Sequence, residues 1–523
     1  METSSSSPVK PRRKDKDEDG RAEQEDSADQ VGEPQKKLLR LGDILETNEV
    51  LLNEAYQQPE LTKWLQTAWT EEKSQGTKEK QTGAQVFADP FQICLLPGML
   101  EKGQSKALVA EIIQKVQWSR KQMDLYEFYQ STDLSNMPDC RLLTNFLQVL
   151  RKQVRPWLEK HVHLRRLSAP VGDDLLKDRQ VAFIFYLSPW EGAEEWTEAQ
   201  GGCLEIFGSD DQCFPQFPVQ RKIAPKDNQF AFFKVGSRSF HQVGEVTTFD
   251  YPRLTINGWF HGDTNEAFVA DSLRAFPRLN YLQPDGLNRP PLGLFLNNVY
   301  LKGATRRSIQ KRIEENSEIC LYEFFKREKF ELARSQLLAD SDTLKWRRQG
   351  PANAHNYEVL DLTTARGTIL ELLQLFRSHA MFDLLRDFTD LDLAGTDAES
   401  PTCSVELQRW SHGNYTVLGD GLTSEENTLD LVYYLNAAEG AAVITYLAPD
   451  AEMPTAKAPA DGRRSEYDDE EEDDSVLLTI TPVDNALNIV YRCEGTTKFT
   501  KYVSRNTPLE KGPVFVISCS YKE

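Results

Sequence analysis

Hydrophobic spacing along the chain changes character at Val181. Upstream, Leu38 to Trp69, Leu100 to Trp118 and Arg141 to Lys160 carry apolar residues three and four apart, as in Leu142, Leu143, Phe146, Leu147 and Leu150, which predicts helices. Downstream, Val181 to Leu187, Gly202 to Phe207, Gln229 to Lys234, Phe240 to Val246 and Leu254 to Phe260 are short β-like runs separated by turn residues. So many strands in so short a stretch predict a sandwich or barrel. Residues 263–345 are mixed, with a Pro-rich stretch from Pro284 to Pro291 and a helical pattern from Ile309 to Leu337, and read as a connector. The β pattern then returns in Leu407 to Leu418, Leu429 to Leu435, Ala441 to Leu447, Val476 to Ile480, Leu487 to Tyr491, Phe499 to Val503 and Val514 to Tyr521. The class expected is α+β, mainly β.

The two β regions can be laid over one another. Phe183-Ile-Phe-Tyr-Leu187 answers to Leu431-Val-Tyr-Tyr-Leu435, the run from Gly202 to that from Ala442, and Asp227-Asn-Gln-Phe to Asp484-Asn-Ala-Leu. This predicts an internal fold duplication. The expected organisation is a disordered tail over 1–40, a helical lead-in over 41–84, a first β domain over 85–262, the connector over 263–345 and a second β domain over 346–523 with an acidic loop over 449–475. The tail is predicted to be disordered because it lacks the apolar side chains needed to offset ordering entropy. It holds a basic cluster, Pro8 to Lys14, of the kind nuclear import receptors read.

Charge narrows the function classes. A formal charge of −20 over 523 residues argues against a general nucleic-acid or membrane-surface binder, because both partners are polyanions. Eight cysteines without CxxC spacing indicate neither a zinc module nor a disulfide framework, which fits a reducing compartment. With no run of 18 apolar residues, no membrane span is expected.

Histidines are few: His161, His163, His241, His261, His355, His379 and His412. His241 lies in Ser239-Phe-His-Gln-Val243, and Arg253 follows in Arg253-Leu-Thr-Ile-Asn-Gly-Trp259. Strand alternation places Arg253, Thr255 and Asn257 on one face and Leu254 and Ile256 on the other. A polar row inside a barrel needs a polar ligand. If a neighbouring strand carried His241, imidazole and guanidinium would share one cavity, suiting a keto acid that chelates a metal at one end and offers a carboxylate to arginine at the other. Tyr186, inward on an adjacent strand, would add a hydrogen bond to that carboxylate. Singly, each has a bland reading: a core histidine, a surface arginine, a packed tyrosine.

The order Asp174, Tyr186, Gly201-Gly202, His241 and Arg253-Leu-Thr-Ile-Asn-Gly-Trp-Phe-His-Gly262, followed by a second β region, resembles the 2-oxoglutarate- and iron-dependent prolyl 3-hydroxylases that modify a small-subunit ribosomal protein. Asp89-Pro-Phe91, Asp124 to Phe128, Gln130 to Leu134, Gln349-Gly-Pro351 and Trp410-Ser-His-Gly-Asn-Tyr415 extend the resemblance to the C-terminus. It implies two double-stranded β-helix (jelly-roll) domains in tandem with flanking helices, the second degenerate and non-catalytic. It implies Fe(II), 2-oxoglutarate and ascorbate, with Asp174 and His241 as metal ligands and Tyr186 and Arg253 holding the co-substrate. A small-subunit ribosomal protein would be the substrate and translation-termination factors possible partners, with residence in cytoplasm and nucleus. Degeneracy agrees with the residues: Thr500 is expected in the slot answering to His241, and the last strand offers Phe515 and Ile517 where an arginine is needed.

One departure stands out. The motif that precedes the strand at Val181 in this family reads His-x-Asp, but here Val171-Gly-Asp-Asp-Leu175 puts Gly172 where the histidine belongs. The strand expected before it, whose counterpart is Leu407 to Leu418, is also missing between Trp157 and Gly172. Three readings follow: a splice form or gene model lacking a segment, a true pseudo-hydroxylase, or His161 or His163 as a replacement ligand.

Overall fold

The computed structural model describes residues 49–70, 76–122, 127–161, 179–189, 195–249, 252–262, 279–285, 289–339, 343–393, 400–417, 426–449 and 476–523. The N-terminal tail with its basic cluster, the segment holding His163, Gly172 and Asp174, and the acidic loop from 450 onward lie outside these residues.

The first half begins with helix α1 (Pro59–Thr70), short strands β1 (Thr77–Lys78) and β2 (Gln85–Phe87), then β3 (Ile93–Pro97) and α2 (Gln104–Lys115). A hairpin follows, β4 (Trp118–Gln122) with β5 (Glu127–Ser131), then α3 (Arg141–Val149) and α4 (Arg155–His161) joined by one turn of π-helix. The remaining strands are β6 (Arg179–Tyr186), β7 (Leu204–Ser209), β8 (Pro215–Ile223), β9 (Gln229–Lys234), β10 (His241–Val243) and β11 (Thr255–His261). A large antiparallel sheet runs β1-β2-β3-β9-β6-β11, and a small one runs β10-β7-β8.

Strand β6 shows why the sheets stack. Ala182, Ile184 and Tyr186 join Leu204, Ile206 and Phe233 in a core between the sheets. Val181, Phe183 and Phe185 point the other way, into a core with Leu65, Leu143, Phe146 and Leu158 of the helices. With both faces buried, the strand reads as an unbroken apolar run. Leu254 and Ile256 face the helices as the alternation predicts.

The second half also sets a large antiparallel sheet beside a small one. Its elements are α5 (Gly303–Asn316), β12 (Glu318–Leu321), α6 (Arg327–Ala339), β13 (Trp346–Gln349), β14 (His355–Leu360), α7 (Gly367–Phe376), α8 (His379–Thr389), β15 (Thr402–Trp410) and β16 (Tyr415–Thr416). They are followed by β17 (Thr428–Leu435), β18 (Ile444–Leu447), β19 (Val476–Ile480), β20 (Leu487–Arg492), β21 (Thr497–Thr500) and β22 (Val514–Lys522). The large sheet orders β12-β20-β17-β22-β15-β14-β13 and the small one β19-β18-β21.

Three expectations need correction here. The helical stretch from Ile309 to Leu337 is two helices split by β12, which pairs with β20. Phe295, Ile313, Phe330 and Leu337 share a core with Leu372, Phe388, Leu431 and Ile517, so this segment is part of the second body and the boundary at 345 moves to before 295. Register also reassigns the slots in the second half. His241 pairs with Ile206, and Lys498 pairs with Tyr446, which aligns with Ile206, so Lys498 and not Thr500 answers to His241. Leu187 bonds to Leu254 as Leu435 pairs with Phe515, which places Val514 at the Arg253 slot; Phe515 and Ile517 face the helices.

Candidate functional site

His241 and Arg253 meet from opposite sheets. The sequence suggested neighbouring strands, yet β10 pairs with β7 and β11 with β6, so the two residues face each other across the barrel mouth. Both line one cleft of about 2430 Å³, with Thr255, Asn257 and Cys203 on the N-terminal side and Asn414, Tyr415, Tyr502 and Arg505 on the C-terminal side.

The arginine end is built from glycines. Gly201 and Gly202 adopt φ of +68° and +63°, and a Cβ on Gly202 would stand 2.8 Å from the Arg253 Cδ and 3.0 Å from Val246 Cγ2. The bare backbone lets the Arg253 side chain lie across it, and Nε donates to the Gly202 carbonyl at 2.7 Å. This fixes the guanidinium plane and leaves Nη2 buried with no hydrogen-bond partner among the described residues. Tyr186 is fully buried and its hydroxyl is likewise unpartnered. The Arg253 guanidinium carbon lies 5.5 Å from the Tyr186 ring centre. Burial pushes the Tyr186 phenol up to about 12, with Arg253 pulling the other way, and desolvation lowers the Arg253 pKa. Native interiors rarely leave buried donors without acceptors, each costing about 1–3 kcal/mol. Two such donors side by side, one of them on a cleft-lining arginine, form a seat for a carboxylate, which accepts both at once. The distal carboxylate of 2-oxoglutarate fits this seat.

His241 supplies the other end. Its Nδ1 lies 2.8 Å from the Ser239 carbonyl, so Nδ1–H donates there and Nε2 carries the free lone pair. The ring packs edge-on against Phe233 at 4.7 Å, fixing its direction. It is accessible to the cleft yet ringed by protein, and desolvation lowers its pKa, which favours the neutral form that metal ligation requires. Among the described residues no cluster of three or more His, Cys, Asp or Glu side chains stands ready for a metal. His241 is the one of the expected metal ligands that the structure describes, and Asp174 and Gly172 lie outside the described residues. His161 ends α4 with Nδ1 on the Trp157 carbonyl and its ring against Trp157, and it is not among the residues that line the cleft. His163 lies outside the described residues.

Sequence reasoning missed Glu245 and Gln242. Gln242 Nε2 donates to Glu205 at 2.7 Å, and Glu205 pairs with Lys222 at 3.3 Å. Neither was visible because their partners come from other strands or from the far half of the chain. The motif Trp410 to Tyr415 does reach the cleft, where the Tyr415 hydroxyl donates to the Ala352 carbonyl at 2.8 Å and lies 3.4 Å from Gln242.

Comparison with known proteins follows the same division. Residues 166–261 match the 2OG-Fe(II) oxygenase superfamily, and residues 287–523 match the C-terminal family described as oxoglutarate and iron-dependent oxygenase degradation C-term. The Drosophila melanogaster prolyl 3-hydroxylase sudestada1 is 94% identical, with all of both chains covered. A Xenopus laevis prolyl 3-hydroxylase is 31% identical over 74% of this chain and 78% of its own. Among solved structures, a Pseudomonas putida prolyl-4-hydroxylase aligns with 42% of this chain and 98% of its own, at 12% identity and a TM-score of 0.27. The alignment with the Drosophila protein is 536 positions long, 13 more than the 523 residues here, so at least that many aligned positions have no residue in this chain. With both family regions present in order and a full-length relative at this identity, the chain belongs to the prolyl 3-hydroxylase family of 2-oxoglutarate- and iron-dependent oxygenases.

Proposed function

We propose that this chain is an Fe(II)- and 2-oxoglutarate-dependent protein prolyl 3-hydroxylase acting on a small-subunit ribosomal protein, in the cytoplasm and nucleus, with ascorbate as reductant and translation-termination factors as possible partners. The observation that carries the reading is the pair of buried donors without acceptors, Arg253 Nη2 and the Tyr186 hydroxyl, with Arg253 lining the same cleft as His241, whose Nε2 is left free by the Ser239 bond. In this reading Arg253 and Tyr186 hold the distal carboxylate, and His241 with Asp174 holds the metal. Bound Fe(II) and 2-oxoglutarate together supply the oxidising power for C–H hydroxylation. The chain supplies placement: Gly202 aims the guanidinium, and Phe233 and Ser239 aim the imidazole. The cleft exceeds the roughly 300–1,000 Å³ of small-molecule pockets, which favours a polypeptide loop as substrate. An acidic chain is also suited to a basic ribosomal partner.

The second half is read as a tandem, non-catalytic copy of the first jelly roll. The pairs Phe185↔Phe230 and Tyr433↔Leu487 share one register, and Asn228 and Asn485 precede them with φ of +58° and +57°. Gly202 and Ala442 open matching strands with φ of +63° and +56°. The cofactor seat is closed in the copy: the Tyr434 hydroxyl, in the Tyr186 place, donates to the Ala442 carbonyl at 2.9 Å, and Val514 replaces the arginine.

A second reading, a catalytically impaired chain with an intact co-substrate seat, is favoured by one topological fact. In the second half β22 lies between β17 and β15, whereas β11 is the last strand of its sheet among the described residues. The 13 absent positions are enough for a strand the length of β15 and a ligand beside it. The experiment is incubation of the purified chain with Fe(II), 2-oxoglutarate and a proline-bearing peptide from a small-subunit ribosomal protein. A gain of one oxygen at a proline C3 with matching succinate supports the hydroxylase. Absence of both, with 2-oxoglutarate binding retained and metal affinity raised by Gly172→His, supports the impaired form.

A further inference from the structure

Glu245 lies in the N-terminal half, in the loop after β10, and its carboxylate is held from the C-terminal half. The Tyr502 hydroxyl donates to Oε2 at 3.2 Å, the Ser504 hydroxyl to Oε1 at 2.5 Å, and the Arg505 backbone N–H to both oxygens at 3.0 Å each. The backbone of the same residue faces the cofactor seat. The Glu245 carbonyl accepts the Gly202 N–H at 2.8 Å, and a Cβ on Gly201 would stand 1.9 Å from that carbonyl oxygen. The Gly202 carbonyl in turn holds the Arg253 Nε. Three bonded links therefore connect the C-terminal half to the guanidinium that seats the co-substrate.

From this chain of contacts we infer that Glu245 is a positioning residue, through which the non-catalytic half sets the Gly201-Gly202 turn and hence the aim of Arg253. The loop's backbone is pinned to the strand beside it by Gly244 N–H to the Cys203 carbonyl, Thr247 N–H to the Gln200 carbonyl and Thr247 Oγ1 to the Ala199 carbonyl, and the Glu245 side chain adds the hold from the other half. Loops without cover open locally at small cost, whereas a carboxylate held by three donors, one of them shared between both oxygens, is a strong restraint. Hydrogen-bonded restraint transmits position because the glycine pair has no side chain to fix it otherwise. This explains why a half without a cofactor seat of its own is retained against the site. Half-buried, Glu245 can be replaced without stranding its partners, since the hydroxyls of Tyr502 and Ser504 can turn to water.

The inference rests on Arg253 as the carboxylate seat, and the test separates the two. The full chain, with Mn(II) as probe metal and without oxygen, is titrated with 2-oxoglutarate and with 2-oxobutanoate, which lacks the distal carboxylate. Glu245→Ala is expected to weaken 2-oxoglutarate roughly 3- to 30-fold, the range seen for residues that act through others, and to leave 2-oxobutanoate unchanged. Glu245→Gln, which keeps an acceptor oxygen, should recover much of the loss. Adding Glu245→Ala to Arg253→Ala should cost no more than Arg253→Ala alone. An unchanged 2-oxoglutarate affinity in Glu245→Ala, or an equal loss for both keto acids, overturns the positioning role. An unchanged affinity in Arg253→Ala overturns the seat itself.

Discussion

Replacing Tyr186 by Phe removes one oxygen from a fully buried side chain and nothing else. In the free chain that oxygen has no acceptor and only the Arg253 guanidinium beside it, so its loss should change stability by no more than about 1 kcal/mol. The ring remains in the core between the sheets, among Ile184, Ala231 and Leu204. The effect on 2-oxoglutarate has the opposite sign. A hydrogen bond to a charged acceptor contributes about 1.5–3 kcal/mol, which is roughly a 10- to 100-fold rise in Kd. Thermal unfolding of the apo chain and anaerobic titration with 2-oxoglutarate measure the two quantities on one sample. A clear fall in Tm with unchanged Kd would refute the reasoning, since it would mean that the hydroxyl serves the fold and not the ligand.

Further perturbations give distinct outcomes. Gly202→Ala places a Cβ 2.8 Å from Arg253 at φ of +63°, so it should cost about 1–3 kcal/mol of stability and weaken 2-oxoglutarate, read by denaturant melts and titration. In the second half, burial alone would raise the Asp430 carboxyl, but Lys498 and Arg492 more than offset it and hold it below the ordinary range, with Ser520 and Tyr446 adding hydrogen bonds. Asp430→Ala strands these cations and should cost about 3–5 kcal/mol in urea melts without changing metal affinity. Its contribution is present above the unfolded aspartate pKa and lost as pH falls through the lower folded value. His355 is held by burial down to about 4, so the folded state resists protonation that the unfolded state accepts near 6.5. Its stability is full above pH 6.5 and declines toward pH 4, by at most about 3 kcal/mol, and His355→Gln should flatten that slope in pH-dependent unfolding.

What the sequence disclosed depended on whether the signal was local. Alternation in Val181 to Leu187 and Leu254 to Phe260 located β6 and β11 within a residue or two, because both faces of each strand are dictated by their own side chains. Tyr186 and Arg253 emerged from these runs and their flank, and His241 from the separate run Ser239 to Val243. β3 and β8 were overlooked, the first because Ile93-Cys-Leu-Leu is too short a run to tell from a helix turn, the second because its burial alternates weakly among polar residues. α7 and α8 also escaped notice, lying between segments read as strands. The pairing of β10 with β7 instead of β11 is a long-range choice that no window reveals, and it alone decides that imidazole and guanidinium face each other across the barrel. Lys498 was passed over for Thr500 because a two-residue slip preserves strand alternation and only register removes it.

The central claim is that Arg253 and Tyr186 form a working seat for 2-oxoglutarate beside His241. Equilibrium titration of the Mn(II)-supplemented full chain with 2-oxoglutarate, beside the variant Arg253→Leu, tests it most directly. Saturable binding by the native chain, weakened at least 100-fold in the variant as two charge-assisted hydrogen bonds require, is the expected result. Equal affinity in both chains, or no binding in the native one, would contradict the account.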